Sequence, residues 1–142
     1  MVIAYQGAVA PEAIKAPGMI AESRRDVGLL AVTSADRLNA GWTAAQRARA
    51  RGVAGAKGHE ETLLEGLPAH CKFFTVIDGH PTTLSWLGVA HGHQTVALGV
   101  EHFGQTGSIG NLYAHFGIDA RSIVERVEGL SAGKPSYALR AV

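Results

Sequence analysis

Four short runs, at residues 2–5, 27–32, 73–77 and 95–100, are apolar at nearly every position and carry almost no charge. Continuous rather than alternating apolarity suits strands covered on both faces, and therefore a largely parallel sheet. Helical patterns fill the gaps between the runs. Pro11 fits a first helical turn, where its missing N–H costs nothing, and the Ala-rich segment that follows to residue 25 offers Ile14 and Ile20 to a core. Pro17-Gly18 falls inside that segment and predicts a kink or break. A second helix is expected to begin at Ser34, its N-cap, with Asp36 at the positive end of the dipole and Gly41 as an interruption. Gly52, Gly55 and Gly58 mark a loose connection, and Leu63, Leu64 and Leu67 a short helix before the third strand.

Beyond the fourth strand, Ile109, Leu112, Tyr113 and Phe116 recur at helical spacing between Ser108 as N-cap and Gly117 as C-cap. Asp119 is expected to cap a last helix whose stripe is Ile123, Val124, Val127 and Leu130. Strand–helix alternation of this kind predicts an α/β fold, a three-layer α/β/α sandwich with right-handed crossovers. One domain over 1–130 accounts for these elements. The tail, 131–142, carries Tyr137 and Leu139 as a further edge strand or a contact with a partner chain.

The totals narrow the function classes. A chain of 142 residues, 46% hydrophobic, can bury one sizeable core. A formal net charge of +1 gives no field that would hold nucleic acid or a membrane surface. Cys71 stands alone, which excludes an intrachain disulfide and a multi-cysteine metal site and fits a reducing cytoplasm. Only Met1 precedes the first apolar run, and no stretch approaches the ~20 apolar residues of a membrane span. A first strand starting directly after Met1 suggests a domain cut from a longer chain or encoded as a separate subunit.

Candidate chemistry gathers where the strands end. In a parallel sheet, ligands sit at the carboxyl ends of the strands, beside helix N-termini. That rule marks Gln6 after the first strand, Thr33 and Ser34 after the second, Asp78 and His80 after the third, and His102 and Phe103 after the fourth. The bland alternative is that Asp78 and Ser34 cap helices and the neighbouring glycines only permit turns. His91-Gly92-His93 could chelate a metal, but neither a carboxylate pattern nor an HExxH motif accompanies it. The Gly-Ala-Lys-Gly of residues 55–58 lacks the spacing of a phosphate loop. Arg47, Arg49 and Arg51, spaced by two, spread around a helix as a solvated or interface surface. Cys71 and Ser85 lack the setting of a nucleophile, and no catalytic constellation emerges.

Two stretches carry a resemblance. Residues 98–119, LGVEHFGQTGSIGNLYAHFGID, are similar to the closing motif of transketolase-type C-terminal domains: a strand, Gly-x-x-x-Phe-Gly-x-[Ser/Thr], a helix with Leu-Tyr, then Phe-Gly-[Ile/Leu]-[Asp/Thr]. Residues 29–38, LLAVTSADRL, resemble the Val-Thr-Ser segment of the homodimeric pyruvate dehydrogenase decarboxylating component, which makes that branch a closer likeness than transketolase. The strand and turn pairs of 3–11 and 73–88 follow in the same order. The resemblance implies about five strands, four parallel and one antiparallel, in the last domain of a subunit, packed at a dimer interface. It implies thiamine diphosphate and magnesium for the parent enzyme, held by a Gly-Asp-Gly…Asn motif that does not occur here, so this chain carries neither cofactor nor catalytic residues. The partners it implies are the remaining domains, a second subunit and, for the parent complex, a dihydrolipoyl acyltransferase. A separate alternative is a small-anion regulatory module built on Gln6, Ser34, Asp78 and His80.

Overall fold

A computed structural model describes residues 1–20 and 26–132. Its centre is a parallel sheet of four strands, β1 (Val2–Gln6), β2 (Gly28–Ala31), β3 (Phe73–Ile77) and β4 (Thr95–Leu98), in the order β2-β1-β3-β4. Registers run Ile3 beside Leu29, Gln6 beside Ile77 and Phe73 beside Thr95. Six helices surround it: α1 (Ala10–Ile20), α2 (Ala35–Ala50), α3 (His59–Leu64), α4 (Thr82–Val89), α5 (Ile109–Phe116) and α6 (Ala120–Ala132). The fold is α/β, compatible with a three-layer α/β/α sandwich. All three strand pairings are parallel. The antiparallel fifth strand implied by the resemblance, together with Tyr137 and Leu139, lies outside the described residues.

Side chains alternate across each strand, and the two faces build two cores. On one face Val2, Ala4, Phe73 and Ile77 meet Ala35 of α2, Leu64 of α3, and Leu84 and Leu87 of α4. On the other, Ile3, Phe74 and Val76 meet Ala16 and Ile20 of α1 and Ile123 and Val127 of α6. Every residue of β3 is buried, the outcome expected of an apolar run with helices on both sides. On α2, Trp42 stacks on Trp86 of α4 with ring centroids 5.4 Å apart, so Trp86 joins two helices of the same layer. His93 is buried against Phe73, with ring centroids 5.9 Å apart.

Several local expectations need correction. α1 runs unbroken through Pro17 to Ile20, and its buried face is Ala13, Ala16 and Ile20, while Ile14 is 53% exposed. Small alanines let α1 lie close to the sheet, and Ile14, one position on from Ala13, is turned about 100° away from that contact. α2 likewise runs through Gly41 without interruption. Ser34 occupies the N-cap position of α2, yet its side chain makes no capping hydrogen bond; its carbonyl accepts from the Leu38 N–H. The glycine-rich connection is tied down by Arg49, which donates to the Ala56 carbonyl at 2.7 Å and pairs with Glu61 at 2.8 Å. That pairing removes Arg49 from the row of solvated arginines. β2, expected to be covered on both faces, lies at one edge of the sheet, and Leu29 within it is 42% exposed.

The caps of α5 are as expected. The Ser108 hydroxyl accepts from the Asn111 N–H at 3.3 Å, and Gly117 takes the left-handed conformation that ends the helix. The two cores predict a contrast in stability. Phe74→Ala should cost about 3–5 kcal/mol, whereas Ile14→Ala on the outer face of α1 should stay within about 0.5 kcal/mol; urea denaturation followed by circular dichroism measures both.

Candidate functional site

Because all four strands are parallel, their carboxyl ends lie along one edge of the sheet, and every site residue expected from the sequence follows one of those ends. The residues do not form one cluster. They divide among the middle of the sheet, the start of α4 and the two opposite edges.

The central neighbourhood lies between β1 and β3, where the strand order reverses and a doubly wound sheet opens a crevice. Gln6 ends β1, and its side-chain oxygen is buried without a hydrogen-bond partner among the described residues. Gly7 follows with φ of +85° and stands so close to the Asp78 carboxylate that a Cβ there would collide with it. That contact explains why glycine follows Gln6. Two further groups arrive from distant parts of the chain. The carboxylate of Glu12 in α1 accepts the Ala120 N–H at 3.0 Å, so α1 caps the first turn of α6 across 108 residues. Asp119, expected to be that cap, contributes its carbonyl to Ile123, and its side-chain Oδ1 is buried without a partner. On α5, the Tyr113 phenol is pushed up from its ordinary value by burial and then by the negative charges of Asp78 and Glu12. The Ala120 N–H, followed by the hydrogen bond from Lys15, holds the Glu12 carboxyl below its ordinary value. Asp78 and Glu12 thus both act on Tyr113, and Glu12 is itself paired with Lys15 at 3.1 Å.

The second neighbourhood holds the start of α4. His80 is exposed, and its Nδ1 lies 2.8 Å from the Thr82 hydroxyl and accepts the Thr82 N–H at 3.3 Å. These bonds set its Nδ1 to organising the turn into α4, leaving Nε2 for anything else. Beside it Gly99 packs against the Gly79 carbonyl and Pro81, at distances no Cβ could tolerate, and the Val100 N–H donates to that same carbonyl at 2.8 Å. The ends of β3 and β4 are thereby fixed to one another.

The remaining residues lie at the two edges. Thr33 and Ser34 border a groove of about 440 Å³ along β2, with Leu30, Leu38 and Leu63 as its apolar wall and Arg37 and His59 at its rim. At the opposite edge, all ten residues from 101 to 110 are exposed, including His102, and the Phe103 ring has no protein surface over it at 103% exposure. This loop borders a cavity of about 370 Å³ reaching to His115, Phe116 and Arg126. α5 behind it buries no residue fully, and Ile109 at its start is 71% exposed. A stripe expected to pack inward is thus half outside. Among the described residues, no group of three His, Cys, Asp or Glu side chains could hold a metal. None of the described helices is long and apolar enough to cross a membrane.

Gln6 and Asp78 were legible in the sequence as strand-end residues, whereas Glu12, which acts on Ala120 across 108 residues, left no local pattern. Comparison with protein-family models and with the curated proteins finds no match for the chain. A pH test follows from Glu12. Its folded-state carboxyl lies below its unfolded value, so its contribution is present above the unfolded value, near about 4.3, and is lost as the pH falls through the lower folded one. Glu12→Gln should cost about 1 kcal/mol at neutral pH and flatten the acid limb of a stability profile; an unchanged limb would remove Glu12 as its source.

Proposed function

We propose that this chain is a non-catalytic structural and dimerisation domain of a thiamine-diphosphate enzyme of the transketolase type, closest to the homodimeric pyruvate dehydrogenase decarboxylating component. The observation that carries the reading is the state of residues 98–119, the stretch with the most specific resemblance. Its helix is capped by Ser108 and ends at the left-handed Gly117, while Phe103 and Ile109 stay outside any core. A fully exposed phenylalanine beside a half-exposed apolar helix is an unfilled contact, and burying such a ring stabilises by about 1.5–3 kcal/mol. A larger subunit would supply that cover from its remaining domains. Aromatic residues of this kind concentrate at the centre of interfaces.

In this reading thiamine diphosphate and magnesium belong to the other domains, the parent acts in the cytoplasm on a 2-oxo acid such as pyruvate, and a dihydrolipoyl acyltransferase receives the acyl group. A transketolase parent is the nearest alternative. The small-anion module draws less support, because the exposed Asp78 carboxylate just past β3 would repel an anion there.

The test combines the chain with separately produced cofactor-binding domains of a homodimeric pyruvate dehydrogenase component. A stoichiometric complex is expected, weakened at least about tenfold by Phe103→Ala, equivalent to about 1.4 kcal/mol. Calorimetric titration of the chain alone with thiamine diphosphate and magnesium should give no saturable heat. Tight cofactor binding by the isolated chain would contradict the reading.

A further inference from the structure

We infer that residues 51–70, with α3 at their centre, form a strap that detaches from α2 while the rest of the fold stays intact, and that the buried carboxyl of Glu60 sets how readily it does so. The inference rests on packing within one helix layer and stands independently of the thiamine-enzyme reading. Of residues 51–70, only Gly58, Glu60 and Leu64 are buried. Leu64 is therefore the one apolar side chain that anchors the segment fully, while Leu63 beside it is 46% exposed. A helix of six residues has no stability of its own and depends on such anchors.

The second buried side chain works against the first. Glu60 is 0% exposed, and neither of its carboxyl oxygens has a hydrogen-bond partner. The group is folded back on Gly58, where a Cβ would collide with it, and its Oε2 faces Gly41 of α2. Charged or neutral, a carboxyl placed there gives up its hydrogen bonds to water and gains none. The nearby cation is already engaged: Nη1 of Arg49 donates to the Ala56 carbonyl at 2.7 Å and to Oε2 of Glu61 at 2.9 Å. Detachment returns Glu60 to water, so the docked position of α3 is held by Leu64 and one arginine against an opposing term.

The neighbours do not need α3 in order to stay. α3 packs chiefly on α2, and α2 has a separate hold on the layer through Trp42, stacked on Trp86 of α4. When the strap leaves, the groove along β2 loses the wall formed by His59 and Leu63, and the cluster that holds Leu64 and Cys71 opens to solvent. The strap thereby controls access to both. Segments with few buried contacts open locally in this way, below the free energy of global unfolding.

Two measurements on the full chain read the motion. Cys71 is the lone thiol and is buried in the same cluster as Leu64, so its alkylation by iodoacetamide under native conditions reports the opening. Hydrogen exchange of the amides of residues 62–64 reports it independently. Both should depend little on urea below the unfolding transition, whereas the amides of β3 should carry the full dependence of global unfolding. Glu60→Met, apolar and of similar length, should slow alkylation and exchange at least about tenfold and leave the near-ultraviolet circular dichroism unchanged. Alkylation and exchange that follow the urea dependence of global unfolding overturn the inference. So does a Glu60→Met protein whose Cys71 reacts as fast as in the wild type, or one that fails to fold, because the fold would then require the carboxyl where it is buried.

Discussion

Burial of β3 on both faces is the constraint on which the rest of the structure depends. Phe73 and Phe74 are both fully buried and point to opposite sides of the sheet, so neither layer of helices can be absent without exposing one of them. From that requirement come α2, α3 and α4 on one face and α1 and α6 on the other. The parallel arrangement follows as well, because helical crossovers are the connections that cover a sheet on both sides. The carboxyl ends of all four strands are consequently collected on a single edge.

Completing the two cores does not complete the surface. The central strands β1 and β3 are satisfied from every side, whereas β2 keeps an apolar edge and the loop after β4 keeps Phe103 in solvent. Both places expose apolar side chains, Leu29 at the first and Phe103 at the second, beside charged neighbours such as Arg37 and Glu101. They differ in kind: β2 offers backbone groups in a row, and the loop offers side chains.

The sequence made the strands legible because uninterrupted apolar runs between helical segments have few other solutions. β3 and the capped helix α5 fall where pattern and capping chemistry agree. The errors share a physical origin in long-range packing. Pro17 and Gly41 read as breaks by local propensity, yet both helices continue where they pack on the sheet and on neighbouring helices. Ile14 read as core because it is large, while the close approach of α1 selects Ala13 and Ala16 instead. Position along the sheet is not encoded locally either, so β2 could not be told from a central strand. Among the candidate site residues, the rule of strand ends pointed to Gln6 and Asp78, and Asp78 lies against Gly7, next to Gln6. The rule was silent on Glu12, whose partner at Ala120 lies in the last helix.

The central claim is that this chain has a finished core and an unfinished surface. Native-state hydrogen exchange on dilute protein, read residue by residue, tests it most directly. The account predicts that amides of β1 and β3 exchange only through global unfolding, while residues 101–110 exchange close to the rate of an unstructured chain. Protection of 101–110 comparable to that of β3 would contradict it, because that loop would then be part of the core and Phe103 would not be waiting for a partner.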